Sequence, residues 1–323
     1  MSKKTIAVLT SGGDAPGMNA AIRAVARTGL TSGMRVLGIR QGYNGLLEGD
    51  LFEMDLRSVS DIIHRGGTML YTARSPKFNS PEGVRQAAEM ARKMGIDGIV
   101  VIGGDGSFRG ARDLTSEGIP CVGIPGTIDN DIASSEYTIG FDTAMNTAID
   151  MVDRLRDTME SHSRCSVVEV MGRRCGDLAL QTGIAVGATT ILVPEVPFDL
   201  DKDVVERMRF TKKTGKKHFI IVVAEGVGGV DRLAKDIEAR TGIETRATVL
   251  GHVQRGGSPT ARDRVLATQM GNYAVKNLLM KGIGNRVVAI HQDKIVDYDI
   301  FEALNMEKHI DPELYQTALE VSI

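Results

Sequence analysis

The chain has no tryptophan, and its aromatic residues amount to only 4% of 323 positions. So thin an aromatic content disfavours a platform on which single-stranded nucleic acid stacks. Cysteine is scarce as well: Cys121, Cys165 and Cys175 are odd in number and include no C-x-x-C pair. That argues against a disulfide framework or a thiolate zinc site, and for a reducing compartment. Cys121 lies in an apolar, strand-like run and reads as a buried structural thiol. Charge of one sign is also lacking, since 39 Lys and Arg against 41 Asp and Glu leave a formal net charge of −2. No global basic surface is on offer to nucleic acid or to an anionic membrane, so any anion must be met by a local cluster. No apolar run approaches the ~18 residues that span a bilayer. The residues after Met1-Ser2-Lys3-Lys4 lack the apolar core of a signal peptide. The expectation is a cytoplasmic protein with neither a membrane nor a nucleic-acid partner.

Glycine, by contrast, is plentiful, with 37 residues gathered in short clusters. Clustered glycine suggests backbone pressed close to a ligand. The 42% hydrophobic and 25% charged content is that of a soluble globular protein. The length is too great for one ordinary core and suits two domains.

Short apolar runs alternate with helical patterns almost to the end. Strands are expected at Ile6–Leu9, Val36–Ile39, Ile99–Ile102, Cys121–Ile124, Val167–Val170, Thr190–Val193, Phe219–Ala224, Ala247–Leu250 and Val287–Ile290. Most are rich in Val and Ile with little polar alternation, as in parallel strands buried on both faces. Asn19–Leu30 and Pro81–Met94 read as helices stopped by Gly33 and Gly95, and Thr143–Glu160 reads as the longest helix. Ser58-Val59-Ser60-Asp61 resembles a capping box with the shorter acid. The alternation predicts an α/β fold with mainly parallel sheets.

Three glycine-rich clusters follow strands. Gly103-Gly104-Asp105-Gly106-Ser107 follows Ile99–Ile102 and opens a helix near Ser107. Its glycines let backbone N–H groups approach phosphate oxygens, and the helix start adds partial positive charge. Asp105 there can hold Mg²⁺ directly or through water; a tight turn with an Asp cap is the plainer alternative. Ser11-Gly12-Gly13-Asp14 has the same context. Neither cluster makes a G-x-G-x-x-G or a Walker A motif, which weakens a dinucleotide reading. The third, Gly123 to Asp131, ends in Thr127-Ile128-Asp129-Asn130-Asp131. A carboxylate there can take a proton from an attacking hydroxyl, or the stretch can be a turn rich in Asx caps.

Cations at strand ends complete the picture. Arg173 follows Val167–Val170 within Met171-Gly172-Arg173, and Arg255 follows Ala247–Leu250 within Gly251-His252-Val253-Gln254-Arg255. Arg bonds phosphate with two nitrogens and keeps its charge. Arg74, Arg164 and Arg246 are further candidates, and Glu225, after Phe219–Ala224, can accept from sugar hydroxyls or cap its turn. Arg23 and Arg27 share one helix face. They and the Lys212–Lys217 run read locally as solvated surface, with a second anion site as the sharper alternative.

Taken together, L-T-S-G-G-D-A-P-G-M-N-A-A, V-I-G-G-D-G-S, P-G-T-I-D-N-D, V-M-G-R and L-G-H-V-Q-R-G-G-S-P fall in order across nearly the whole chain. As a set they resemble the bacterial ATP-dependent 6-phosphofructokinase family. The resemblance implies two Rossmann-like, three-layer lobes, 1–139 plus 252–302 and 140–251 plus 303–323, with the active site in the cleft between them. It implies ATP as donor, fructose 6-phosphate as acceptor and Mg²⁺ as cofactor. ATP would be held by Gly13, Arg74, Ser75, Gly104, Asp105, Gly106 and Ser107, with Asp105 serving the metal. Asp129 would be the base, with Thr127, Asp131 and Arg173 beside it. Met171, Gly172, Arg173, Glu225, His252 and Arg255 would bind the sugar phosphate, and Arg164 and Arg246 would reach it from a neighbouring subunit of a homotetramer. An effector site for ADP or phosphoenolpyruvate would use Arg23, Arg27, Arg156, Lys213, Gly215, Lys216 and Lys217. Leu56, Thr189 and Thr214 depart from the family's effector pattern, which implies weak ADP activation. Pyrophosphate-dependent relatives carry Asp and Lys where this chain has Gly106 and Gly126. A carboxylate at the first position would repel an ATP α-phosphate, so ATP is favoured. A pyrophosphate-dependent enzyme and a non-catalytic nucleotide or sugar-phosphate sensor remain the alternatives, and an NAD-dependent dehydrogenase is a weaker third.

Overall fold

A computed structural model describes residues 3–322, so residues 1, 2 and 323 of the expected lobes lie outside the described part. In chain order its first half runs β1 (Thr5–Thr10), α1 (Met18–Thr31), β2 (Arg35–Ile39), α2 (Gly42–Glu48), β3 (Leu51–Glu53), α3 (Pro81–Lys93), β4 (Gly98–Gly103), α4 (Asp105–Ser116), β5 (Cys121–Pro125) and α5 (Phe141–His162). Then come β6 (Cys165–Val170), α6 (Asp177–Ala185), β7 (Thr190–Leu192), α7 (Glu206–Lys213), β8 (Phe219–Ala224), α8 (Val230–Thr241) and β9 (Thr245–Val249). The chain closes with α9 (Ala261–Tyr273), β10 (Arg286–His291), β11 (Lys294–Asp299), α10 (Ile300–Ala303) and α11 (Pro312–Val321). The fold is α/β, as the strand–helix alternation predicts.

Two units result. The first comprises Met1–Ile128, Ile132–Thr143 and Arg255–Glu307; the second comprises Asp129–Asp131, Ala144–Gln254 and Lys308–Ile323. The sheet of the first unit has the order β11-β10-β5-β4-β1-β2-β3. Its five central strands are parallel, and only β3 and β11 run antiparallel to their neighbours. β1, β4 and β5 are buried at every position, which is why they carry Val, Ile and Leu without polar alternation. Leu9, Leu37, Ile39, Val101, Phe108 and Cys121 meet in the core of this unit. From β1 the chain moves outward through β2 and β3, then returns to place β4 on the other side. The loops after β1 and β4 therefore flank the point where strand order reverses, where open α/β sheets bind ligands.

The second unit has four parallel strands in the order β7-β8-β6-β9. Cys165, Leu192, Met208, Phe219, Ile221 and Val223 form its core. Met171–Arg173 and Glu225 follow the carboxyl ends of the paired strands β6 and β8.

Local chemistry explains several boundaries. Ser80 caps α3 by accepting from Gly83 N, Pro81 occupies the first turn, and Arg92 and Lys93 sit at the carboxyl end. Three expectations need correction. Ser58–Asp61 starts no helix: Ser58 Oγ donates to Asp55 Oδ1 in a turn, and Asp61 has φ 56°. The helix expected near Ser107 starts at Asp105. β3 and β11 were not expected at all. The turn into β11 places both Gln292 and Asp293 at positive φ, a hairpin geometry that Asn-Gly or Asp-Gly would advertise and Gln-Asp does not. No described helix is long and apolar enough to cross a membrane.

Candidate functional site

Gly104 is the N-cap of α4 and Asp105 its first residue, so the backbone N–H groups of the first turn face outward from the sheet end. Tyr43 fixes this turn from behind. Its ring stacks on Phe78 at 4.0 Å, and its hydroxyl donates to Ser107 O at 2.5 Å. Ser107 itself is buried. The loop after β1 lies alongside: Thr72 Oγ1 donates to Gly12 O at 2.7 Å, and Arg255 Nη1 donates to Asp14 O at 3.1 Å. A side chain added at Gly13 would collide with the Arg255 guanidinium. The structure thus sets Arg255, expected on the sugar phosphate, beside the Gly13–Asp14 loop of the first unit. Arg74 is exposed and Ser75 half-buried in the loop before α3.

Gly106 differs from the other glycines of this site. Nothing lies within 4 Å of a Cβ built there, so the protein leaves the space above it open. Gly126 is packed: a Cβ would meet Ile102 Cγ2 at 3.0 Å and Met18 Cε at 3.3 Å.

Asp105 pairs with Arg109 one turn along α4, Nε to Oδ2 at 2.9 Å. No group of three His, Cys, Asp or Glu side chains forms a metal cage among the described residues. Mg²⁺ commonly takes one or two carboxylates with the rest of its shell from water and substrate phosphates. A half-exposed aspartate at a helix start fits a cation that arrives with a nucleotide.

In the second unit, Asp129 and Asn130 are buried and Asp131 is partly so. Arg173 Nη1 lies 3.2 Å from Asp131 Oδ2. The turn that carries Arg173 is held on two sides: Glu225 Oε1 accepts from Arg173 N at 2.5 Å, and Gln254 Oε1 accepts from Met171 N at 3.0 Å. Gly172 has φ 133°, open only to glycine at low cost, and a Cβ there would lie 2.5 Å from Cys175 O. Thr127, in the first unit, is buried, and its carbonyl accepts from Thr138 Oγ1 at 2.7 Å. His252 is exposed on the 3-10 turn Gly251–Arg255.

Arg164 and Arg246 stand elsewhere in the second unit. Arg164 precedes β6 and Arg246 is the second residue of β9, both at the amino ends of the sheet. Glu244 accepts from both, at 2.7 Å from Arg164 Nε and 2.6 Å from Arg246 Nη2. Arg164 and then Arg246 hold its carboxyl below the usual range.

Of the expected effector residues, Arg23 and Arg27 are half-buried on α1, and burial lowers the Arg23 pKa. In the second unit Arg156 reaches the Val186 carbonyl. Burial, then Arg156, lowers the pKa of both Lys216 and His218, so the Arg156 and Lys216 cations share one half-buried place with an imidazole held towards its neutral form. Lys213, Gly215 and Lys217 are exposed. Thr189 is fully buried, and Leu56 is 50% exposed.

Thr72, Tyr43, Gln254 and His218 were missed from the sequence. Gln254 lies within a quoted motif, and His218 directly follows the Lys212–Lys217 run. Tyr43 and Thr72 meet the site only through tertiary packing, and no local pattern marks them.

A family model described as Phosphofructokinase matches residues 5–278. The chain is 59% identical over 319 residues to an ATP-dependent 6-phosphofructokinase of Clostridium tetani, covering 99% of each. It is 58% identical over 319 residues to one of Clostridium botulinum, again covering 99% of each. A phosphofructokinase structure from Saccharomyces cerevisiae superposes with TM-score 0.86 at 39% identity, covering 99% of this chain and 47% of that one. A pyrophosphate-dependent phosphofructokinase from Marinobacter aquaeolei superposes with TM-score 0.85 at 22% identity, covering 98% of this chain and 91% of that one. At that identity the likeness is one of fold alone.

Proposed function

Because the chain belongs to the phosphofructokinase family, we propose that it transfers the γ-phosphoryl group of ATP to the 1-hydroxyl of fructose 6-phosphate. The products are fructose 1,6-bisphosphate and ADP, and the reaction is the committed step of glycolysis. The observation that carries this reading is the end-to-end likeness to curated ATP-dependent enzymes. The open space over Gly106 supports it, because that is where a nucleotide α-phosphate needs room and no like charge.

Phosphoryl transfer asks the protein mainly for positioning and charge neutralisation. In this reading the backbone N–H groups of Gly104–Ser107 bind donor phosphates, helped by the α4 dipole. Gly13, Arg74 and Ser75 bind the rest of the nucleotide. Asp129 accepts the proton of the sugar 1-hydroxyl on its carboxylate as that oxygen attacks. Thr127 and Asp131 flank it, and Arg173, oriented by Asp131, meets the developing charge. Met171, Gly172, Arg173, Glu225, His252 and Arg255 bind the sugar phosphate. Mg²⁺ held near Asp105 would neutralise phosphate charge when bound with ATP.

We infer a homotetramer in which Arg164 and Arg246 serve a neighbouring subunit's sugar phosphate. Their place at the amino ends of β6 and β9 supports this, since Met171–Arg173 and Glu225 lie at the carboxyl ends of the same sheet. The clustering of Arg156 and Lys216 beside His218 supports an anionic effector, ADP or phosphoenolpyruvate; Arg23, Arg27, Lys213, Gly215 and Lys217 are its other expected contacts. Thr189 is buried and uncharged and offers no carboxylate to anchor a metal there, so ADP is expected to activate weakly. A cytoplasmic location follows from the glycolytic role.

The test is a purified enzyme given fructose 6-phosphate with Mg-ATP or with Mg-pyrophosphate. Turnover with ATP alone is expected, and Asp129→Ser lowers kcat at least ~10²-fold while nucleotide binding by calorimetry persists. Turnover with pyrophosphate alone, or binding without turnover in the unaltered protein, would overturn the reading.

A further inference from the structure

Asn130 stands between the two carboxylates assigned to the chemistry, with its backbone in the left-handed region at φ 50°. L-residues bear a cost there, least for Asn and Asp. Such a conformation persists where the surroundings over-determine it. Here a separate stretch of the second unit grips both ends of the residue. Asp177 Oδ2 accepts from Asn130 Nδ2 at 2.8 Å, and Cys175 Sγ donates to Asn130 O at 3.7 Å. Burial, and then the Asp177 carboxylate, pushes the Cys175 thiol up to about 12, so it stays protonated as a donor. Asp177 is itself buried, the first residue of α6, and Lys308 Nζ stands 3.5 Å from the same carboxylate oxygen.

The gripping stretch is continuous with the turn that carries Arg173. Cys175 N donates to Gly172 O at 2.9 Å, and Arg173 closes back onto Asp131. Residues 129–131 and 171–177 are thus tied at three points: Asn130 Nδ2, Asn130 O and Asp131.

We propose that Asp177 is a positioning residue for phosphoryl transfer: by accepting from Asn130 Nδ2 it holds the left-handed turn that presents Asp129 to the acceptor hydroxyl. Asp177 does not touch substrate; it acts through Asn130. The inference rests on the kinase reading with Asp129 as base. It also explains the half-buried Lys308, whose charge offsets that of a carboxylate withdrawn from water.

Steady-state kinetics on the full chain test it. Asp177→Ala lowers kcat about 10- to 100-fold, as a misplaced catalytic group does, while KM for ATP stays put. Asp177→Asn keeps an acceptor oxygen for Asn130 and recovers kcat to within about threefold of the unaltered enzyme. Asn130→Gly removes the grip from the other side while tolerating positive φ, and tests the same bond if Asp177→Ala does not fold. It lowers kcat like Asp177→Ala, and adding Asp177→Ala to it costs little more. Unaltered kcat in Asp177→Ala or in Asn130→Gly overturns the proposal, as does an Asp177→Asn variant no better than Asp177→Ala. An unaltered enzyme without ATP-dependent turnover would instead sink the kinase reading itself.

Discussion

In the proposed kinase reading, the choice of phosphoryl donor at Gly106 would reduce to one missing side chain. The residue lies in the first turn of α4, and no atom from beyond that turn comes within 4 Å of a Cβ built there. An aspartate would therefore strain nothing and would suit the helix dipole. Its harm would fall on the nucleotide, since two like charges about 4 Å apart repel by roughly 4 kcal/mol at an effective dielectric of 20. Gly106→Asp is expected to raise KM for ATP at least about tenfold with an unchanged unfolding midpoint. An unchanged KM would show that the space over Gly106 is not where the α-phosphate lies. Gly126 answers a different constraint, because Ile102 and Met18 already fill the place a side chain would need. The sequence marked both glycines only as places where pyrophosphate-dependent relatives carry Asp and Lys. That one is open and the other packed was not legible there, because it depends on residues far away in the chain.

Among elements, α5 is anchored from a distance. Asp263, on α9, accepts from Gly140 N and Thr143 N, each at 2.9 Å, and from Thr143 Oγ1 at 2.5 Å. This gives α5 a capping carboxylate that its own sequence does not supply. Burial raises the Asp263 pKa from 3.8 to about 6 against the pull of those donors. A raised carboxylate pKa means that the native state binds the proton first on acidification. Its contribution to stability therefore increases as pH falls from about 6 towards 4, and it is a cost above that window. The unfolding free energy of the unaltered protein minus that of Asp263→Asn should rise across that window by up to roughly 3 kcal/mol. A flat or falling difference would contradict the assignment. The elements themselves were legible where periodicity was strong. β1, β4, β5 and β8, buried on every residue, read as continuous apolar runs. β11, Lys-Ile-Val-Asp-Tyr-Asp, is a half-exposed edge strand and looks like loop. The Ser58 segment had the right residue types for a cap, but its side chains close a local turn.

For the whole molecule, the acceptor arginines pose the sharpest question. β6 has six residues, which is about 20 Å of extended chain between Arg164 and the Met171–Arg173 turn. One subunit's sheet cannot bring both ends to one small phosphate. Arg246→Ala is expected to raise the half-saturating fructose 6-phosphate concentration about 10- to 100-fold, the worth of a charged phosphate contact. Mixing it with Asp129→Ser after subunit exchange should recover activity at low substrate, because some sites then combine an intact base with an intact neighbouring arginine. No recovery would place both residues in one subunit's site. The sequence by itself determined the α/β class, the glycine-rich loops at the strand ends and the family, because these rest on local periodicity and on contiguous motifs. Only the tertiary structure decided that Arg255 leans on the Gly13–Asp14 loop, that Glu225 and Gln254 brace the Met171–Arg173 turn, and that Asp177 grips Asn130. Those contacts join positions tens to hundreds of residues apart. Their chemistry is that of ordinary Asp, Gln and Arg, and only folding chooses their partners.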